Sequence, residues 1–241
     1  MLDAEILVCA GSRDLPWLNC SLRSIKRFWE GAYAPIIVVP PECRNELPSV
    51  VYELKCTVVL KPVAQHAYVR MTIDCYLSAP MVLCMDVRGM FTRPCSIATF
   101  TDSTRKPILA VESYAEAVAR PGADPSCVVN RKDTADDLLD VDSVYDYTAR
   151  EPLVFYRHSV RRTREIIEER SKRPMAVIMR NYCPEYWSFG NVVGTHIWSK
   201  ERNSYQLVPA KECPAAPIRI FSGCMDPTKG EDLREVQRIL A

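Results

Sequence analysis

Long hydrophobic runs are missing from this chain of 241 residues. No apolar stretch approaches the roughly 20 residues that a bilayer-crossing helix needs. Net charge is nearly missing too, at +1; a dedicated duplex-binding protein carries a large basic surplus, so bulk charge marks no nucleic-acid partner. Glycine is sparse, with 8 residues. Gly11 stands alone after the first apolar run, whereas a nucleotidyltransferase would be expected to show a glycine-rich signature there. The three histidines, His66, His158 and His196, are scattered and form no His-x-His. Cysteine is plentiful at 11 residues, but the number is odd and no two stand at the C-x₂₋₄-C spacing of a zinc site. Several lie inside apolar patterns, where a free thiol behaves as a small hydrophobe. The expectation is a reduced, cytoplasmic protein. Met1 to Glu5 begins acidic and lacks the basic start of a leader peptide.

What remains is ordinary globular material, 48% hydrophobic and 25% charged, with no repeat or linker. Short apolar runs at Ile6–Ala10, Ile36–Val39, Thr57–Leu60 and Met81–Asp86 read as buried strands. Leu15, Leu18, Leu22, Ile25 and Phe28 recur at helical spacing, with Asp14 placed to cap and Pro16 in the first turn. Helical character returns from His66 to Leu77. Strand, helix, strand, strand, helix, strand is the start of a doubly wound, mostly parallel α/β sheet flanked by helices. Further on, Ile97–Phe100, Ile108–Val111 and Leu153–Tyr156 read as strands, 122–142 as a surface excursion with a short helix, and His158–Lys172 as a charged helix. Its mixed signs suggest a salt-bridged, solvated face. Pro184 to Ser199 reads as an aromatic helix lining a cleft, Ile218–Phe221 as an edge strand, and Thr228–Glu231 as the opening of a terminal helix.

Ligands of open α/β sheets bind beyond the carboxyl ends of the strands. Three segments would meet there. Asp86-Val87-Arg88 ends the fourth strand; the same pattern also suits an aspartate that only caps the next turn. The turn Ala10-Gly11-Ser12-Arg13-Asp14 offers backbone N–H groups and a cation, although an ordinary strand–helix turn looks the same. In Glu185-Tyr186-Trp187-Ser188-Phe189-Gly190-Asn191 a carboxylate sits among aromatics, which suits stacking on a sugar or base. An acid at a helix start with core aromatics behind it fits equally.

The segment Leu83–Pro94, an apolar strand, an acidic motif, an apolar pair and then Arg93-Pro94, resembles the aspartate-x-aspartate region of GT-A-fold glycosyltransferases. Pro184–Asn191, together with the opening strand and Ser24–Phe28, is similar to stretches of the DUF6492-like bacterial and phage group of that class. The resemblance implies one GT-A-like domain, with residues 1–95 binding a nucleotide sugar and 96–241 facing the acceptor. It implies a UDP-sugar as the foremost donor, held at Ala10–Asp14, Asp86 and Arg88. Asp86, Arg88 and Glu185 would be catalytic, with Tyr186, Trp187 and Asn191 on the acceptor side. The acceptor is open; a hydroxymethylated base of phage DNA is one candidate, a glycan another. Arg88 stands where the family pattern has its second aspartate. One carboxylate beside a guanidinium holds a hard divalent cation poorly, so Asp86 is at most a weak metal ligand, no cofactor is firmly implied, and manganese or magnesium would be the candidates. A nucleotidyltransferase and a non-catalytic nucleotide- or sugar-binding module are the alternatives.

Overall fold

A strand that is apolar on both faces sets the layering. The computed structural model describes residues 3–180, 187–213, 215–221 and 227–241. In β1 (Ala4–Cys9) the side chains of Ala4, Ile6 and Val8 enter one core and those of Leu7 and Cys9 the other. Such a strand must be covered on both sides, and parallel neighbours with crossover helices do that. β2 (Ile36–Val39) and β3 (Thr57–Leu60) extend the sheet on one side and β4 (Met81–Asp86) pairs with β1 on the other, all parallel. After β5 (Gly89–Phe91), β6 (Ile108–Ser113) and β7 (Tyr145–Asp146), β8 (Leu153–Tyr156) returns to β4 antiparallel. The central order is β3-β2-β1-β4-β8. β9 (Gln206–Pro209) joins β6 and β7 in a smaller sheet, and β10 (Ile218–Ile220) pairs with β5.

The helices in chain order are α1 (Leu15–Phe28), α2 (Val50–Glu53), α3 (His66–Met71), α4 (Tyr114–Ala119), α5 (Pro125–Leu139), α6 (Arg157–Ser171), α7 (Met175–Ile178), α8 (Phe189–His196) and α9 (Gly230–Leu240). α1, α2 and α9 contribute to the core on one face of the central sheet. α5, α6, α7 and α8 contribute to the core on the other. The mostly parallel sheet with helices on both faces is the architecture expected from the element order. No helix among the described residues is long and apolar enough to cross a membrane.

Three expectations need correction. Ile97–Phe100 is a 3₁₀ turn and not a strand: Ile97 and Phe100, three residues apart, both turn into the core, where Phe100 meets Trp29 and Phe91. The helix expected over His66–Leu77 stops at Met71, because the Thr72 hydroxyl donates back to the Tyr68 carbonyl (2.9 Å) and the chain tightens into a 3₁₀ turn. The excursion over 122–142 is largely α5, capped by Asp124, which accepts the Ser126 N–H, and burying Val128, Ala135, Leu138 and Leu139.

α8 is buried along its whole length. Its two glycines allow that approach: a Cβ at Gly190 would lie 2.7 Å from the Leu153 side chain, and one at Gly194 2.4 Å from the Tyr147 ring. The helix is therefore pressed against the segment 147–153. Gly194→Ala is expected to destabilise the protein by about 1–3 kcal/mol through overpacking, since a ring held in a buried helix contact cannot step aside. A lower urea midpoint with an unchanged slope is the expected readout.

Candidate active site

β4 ends on Asp86, and its register with β1 sets Cys9 beside Asp86 at the carboxyl edge. The antiparallel register pairs Cys84 with Leu153. Two residues after Cys84 and two before Leu153, Asp86 meets Glu151. Glu151 Oε2 accepts the Asp86 N–H at 2.8 Å. The Asp86 carboxylate in turn takes three N–H donors from Arg88: Oδ1 accepts the Arg88 backbone N–H (2.7 Å) and Nε (3.0 Å), and Oδ2 accepts Nη2 (3.1 Å). This is a bidentate fork closed by a backbone bond. Its side chains remain 25% and 32% exposed, so the pair sits on the rim within reach of a ligand.

The two carboxylates are driven apart electrostatically. Burial pushes the Asp86 carboxyl up, but the hydrogen bonds and charge of Arg88 outweigh that and hold it below its ordinary range. Burial raises the Glu151 carboxyl, and the negative charge of Asp86 raises it further. The charge of Arg70, at the end of α3, acts on both. Arg70 also hydrogen-bonds the Cys9 thiol.

The first turn comes to the same edge. Asp14 was expected to cap α1; its carboxylate instead accepts the Gly11 N–H at 2.9 Å, and no side-chain cap bond forms to the helix. Its charge is felt by Arg88 and by His66 in α3, so the turn after β1, the start of α3 and the end of β4 lie together. Within the turn Ala10 is buried in the core, Gly11 is half-buried and Ser12 and Arg13 are exposed. The Ser12 hydroxyl accepts from the Cys43 thiol. Nothing ties Arg13 to the Asp86–Arg88 pair among the described residues.

Behind the rim, Arg70, Arg131, Arg150, Glu151, Trp187 and Ser188 are among the groups that line a cavity of about 140 Å³. Trp187 therefore does face a cleft. Asn191 does not. It is fully buried, its amide oxygen accepts the Tyr147 N–H (2.9 Å) and its amide nitrogen donates to Asp146 (3.2 Å). Its placement on the acceptor side is thus corrected: both halves of the amide are spent on fastening the segment that leads to Glu151. Glu185 and Tyr186 lie outside the described residues. Sequence reading passed over Glu151, Arg70, Arg131 and Arg150. The one signal available was the charged pair Arg150-Glu151 set directly before Pro152 and a strand.

A divalent cation fits these residues poorly. Both oxygens of Asp86 are already engaged by Arg88. No group of three or more His, Cys, Asp or Glu is gathered in metal-ligand fashion among the described residues. The guanidinium lies against the carboxylate where a metal would bind it.

No protein-family model matches the chain, and no curated protein matches it in sequence. Among solved structures 214 chains match in fold. One is described as the galactosyltransferase LgtC in complex with donor and acceptor sugar analogs; at 9% identity and a TM-score of 0.57, the likeness covers 98% of this chain and 95% of that one. Likeness over both full lengths shows a GT-A-like fold, and at this identity it shows the fold alone.

A carboxyl raised in the folded state destabilises that state once it ionises. Wild type is therefore expected to lose stability relative to Glu151→Gln as pH rises from about 4, the ordinary carboxylate value. The gap in melting temperature between the two should widen up to neutral pH and stay small in acid. Equal melting temperatures at all pH values would contradict the assigned electrostatics.

Proposed function

We propose that this chain is a nucleotide-sugar-dependent glycosyltransferase, moving a sugar from a nucleoside diphosphate, foremost a UDP-sugar, to an acceptor hydroxyl. The observation that carries the reading is the meeting of the Asp86–Arg88 fork and Glu151 at the carboxyl edge of the sheet, with Asp14 near enough for its charge to act on Arg88. This is the edge where a wound sheet takes its ligands. The likeness to the solved galactosyltransferase supports it through the fold.

In this reading the turn Ala10–Asp14 borders the nucleoside and the diphosphate lies over Arg88. As the acceptor oxygen bonds to the anomeric carbon, the bond from that carbon to the diphosphate oxygen breaks and its electron pair leaves with the diphosphate. Arg88 offsets the charge that develops there; its Nη1 carries no hydrogen bond among the described residues. Glu151 takes the hydroxyl proton, for which a raised carboxyl suits better than an ordinary one. Its Oε1 carries no hydrogen bond among the described residues. Asp86 holds Arg88 in place. Glu185, two residues before Trp187, is retained as a second carboxylate toward the sugar or acceptor. Residues 1–95 act as the donor half and 96–241 as the acceptor half, meeting where β8 joins β4.

A glycan or another alcohol suits as acceptor better than a base in duplex DNA. The arginines of α6 that could follow phosphates are paired within the chain: Arg161 and Arg162 with Glu165, Arg164 with Asp74 and Glu168, and Arg170 with Asp140. A second reading has its own observation. An acidic motif closed on its own arginine also fits a nucleotide-sugar-binding module without turnover.

Turnover of a panel of nucleotide sugars, with and without chelator, tests these readings. Wild type is expected to work in chelator. Arg88→Ala is expected to lower kcat/KM by roughly 10²–10³, the usual effect of removing one preorganised charge. Arg88→Asp, which restores a paired-aspartate motif, is expected to make the remaining activity respond to manganese. Full loss of wild-type activity in chelator would show Arg88 misassigned. Donor binding without transfer or hydrolysis would favour the binding module.

A further inference from the structure

The cavity behind Glu151 is unusual for the charge it gathers. Three guanidiniums, those of Arg70, Arg131 and Arg150, line it with a single carboxylate, Glu151. They reach it from three places in the sequence: the end of α3, the middle of α5 and the segment before β8. Arg70 is tied to the Cys9 thiol and to the charges of Glu151 and Asp86. Arg150 Nη1 donates to the Cys213 carbonyl. Arg131 has neither a hydrogen bond nor an ion pair among the described residues, although it is half-buried. Cations of one sign on a confined wall repel each other, and like charges are normally kept apart or compensated. Among the described residues the carboxylate that lines the cavity beside them is that of Glu151, which has a raised affinity for its proton.

The remaining wall suits an oxyanion as well. α8 begins there, with Ser188, Phe189 and Gly190 on the lining, so the positive end of a buried helix points the same way. Trp187 supplies an aromatic side. At about 140 Å³ the space is well below the several hundred that a whole drug-sized ligand fills. It suits one anionic substituent, not a nucleotide.

We infer that this cavity is an anion subsite that takes a carboxylate or phosphate group borne by the donor sugar or by the acceptor. That the cavity binds an oxyanion rests on its own residues; that the anion is a substituent of donor or acceptor rests on the transferase reading. Glu151 lines this cavity, and its carboxylate also accepts the Asp86 N–H at the rim. An anionic substituent held by the arginines would therefore set the molecule that bears it beside the group proposed to take the proton.

The test uses the full chain and the variant Arg131→Met, which keeps the aliphatic bulk and breaks no hydrogen bond or ion pair among the described residues. Inorganic phosphate, glucuronate, glucose and UDP are titrated calorimetrically into each protein. Phosphate and glucuronate are expected to bind wild type and to bind the variant about 10- to 100-fold more weakly, the scale of one charged hydrogen bond. UDP should bind both proteins alike. Equal anion affinity in the two proteins, or glucose binding as well as glucuronate, would overturn the subsite. UDP binding to neither protein, with the anion difference intact, would overturn the transferase reading alone. The two sources separate in a further pair of titrations. A loss on Arg131→Met for UDP-glucuronate and not for UDP-glucose assigns the anion to the donor sugar. A loss for glucuronate added to the UDP-saturated protein assigns it to the acceptor.

Discussion

The carboxylate of Asp86 is the constraint on which the rest of the site depends. It stands at the end of a buried parallel strand, with a second carboxylate brought opposite by the returning strand β8. Two acids this close in a half-buried setting cannot both ionise freely. The chain resolves the conflict unevenly. Arg88 saturates Asp86 and keeps it charged; Glu151 is left with burial and a negative neighbour, and its affinity for a proton rises. Two acids with opposite displacements are the arrangement that general acid–base chemistry needs. It arises here from one salt bridge placed on one member of the pair.

The same bridge changes the character of the fold's edge. In the aspartate-x-aspartate pattern the edge is acidic and waits for a cation. In this chain the cation is part of the polypeptide, positioned by a backbone N–H and two guanidinium bonds to the residue two places earlier. A guanidinium cannot be lost to dilution or chelation, and it offers planar pairs of donors to phosphate oxygens. It cannot gather several carboxylates around itself as a hard divalent ion does.

The part of the edge built from the ends of β1 and β4 was legible because its signals are local. Apolar runs ending in charged residues mark strand ends, and a parallel reading of four such runs brings Gly11–Asp14 and Asp86–Arg88 together without further information. The part around Glu151 was hidden because its contacts are long-range. Glu151 meets Asp86 across 65 residues of sequence, and nothing near Glu151 specifies the antiparallel return that places it there. Arg70 and Arg131 sit in helices whose periodicity says which face is buried and not which cavity it borders. Asn191 misled in the opposite sense. A polar residue among aromatics suggested a ligand contact, yet in a fully buried helix its amide had to be satisfied internally, and Tyr147 and Asp146 do so. The charged helix α6 read correctly as salt-bridged, since three- and four-residue spacing fixes those pairs locally.

The sheet order has a consequence for how the protein is made. β1, first in the chain, lies at the middle of the central sheet, with β2 on one side and β4 on the other. As the chain leaves the ribosome, β2 follows β1 within some thirty residues and covers one edge, but the other stays open until β4 emerges. β8, which carries Glu151 to the rim, is the last strand of that sheet to be synthesised. The half that would grip a nucleotide can therefore take shape on the nascent chain before the half that would use the acceptor exists. During that interval β4 presents an unpaired apolar border, the kind of surface that chaperones shelter.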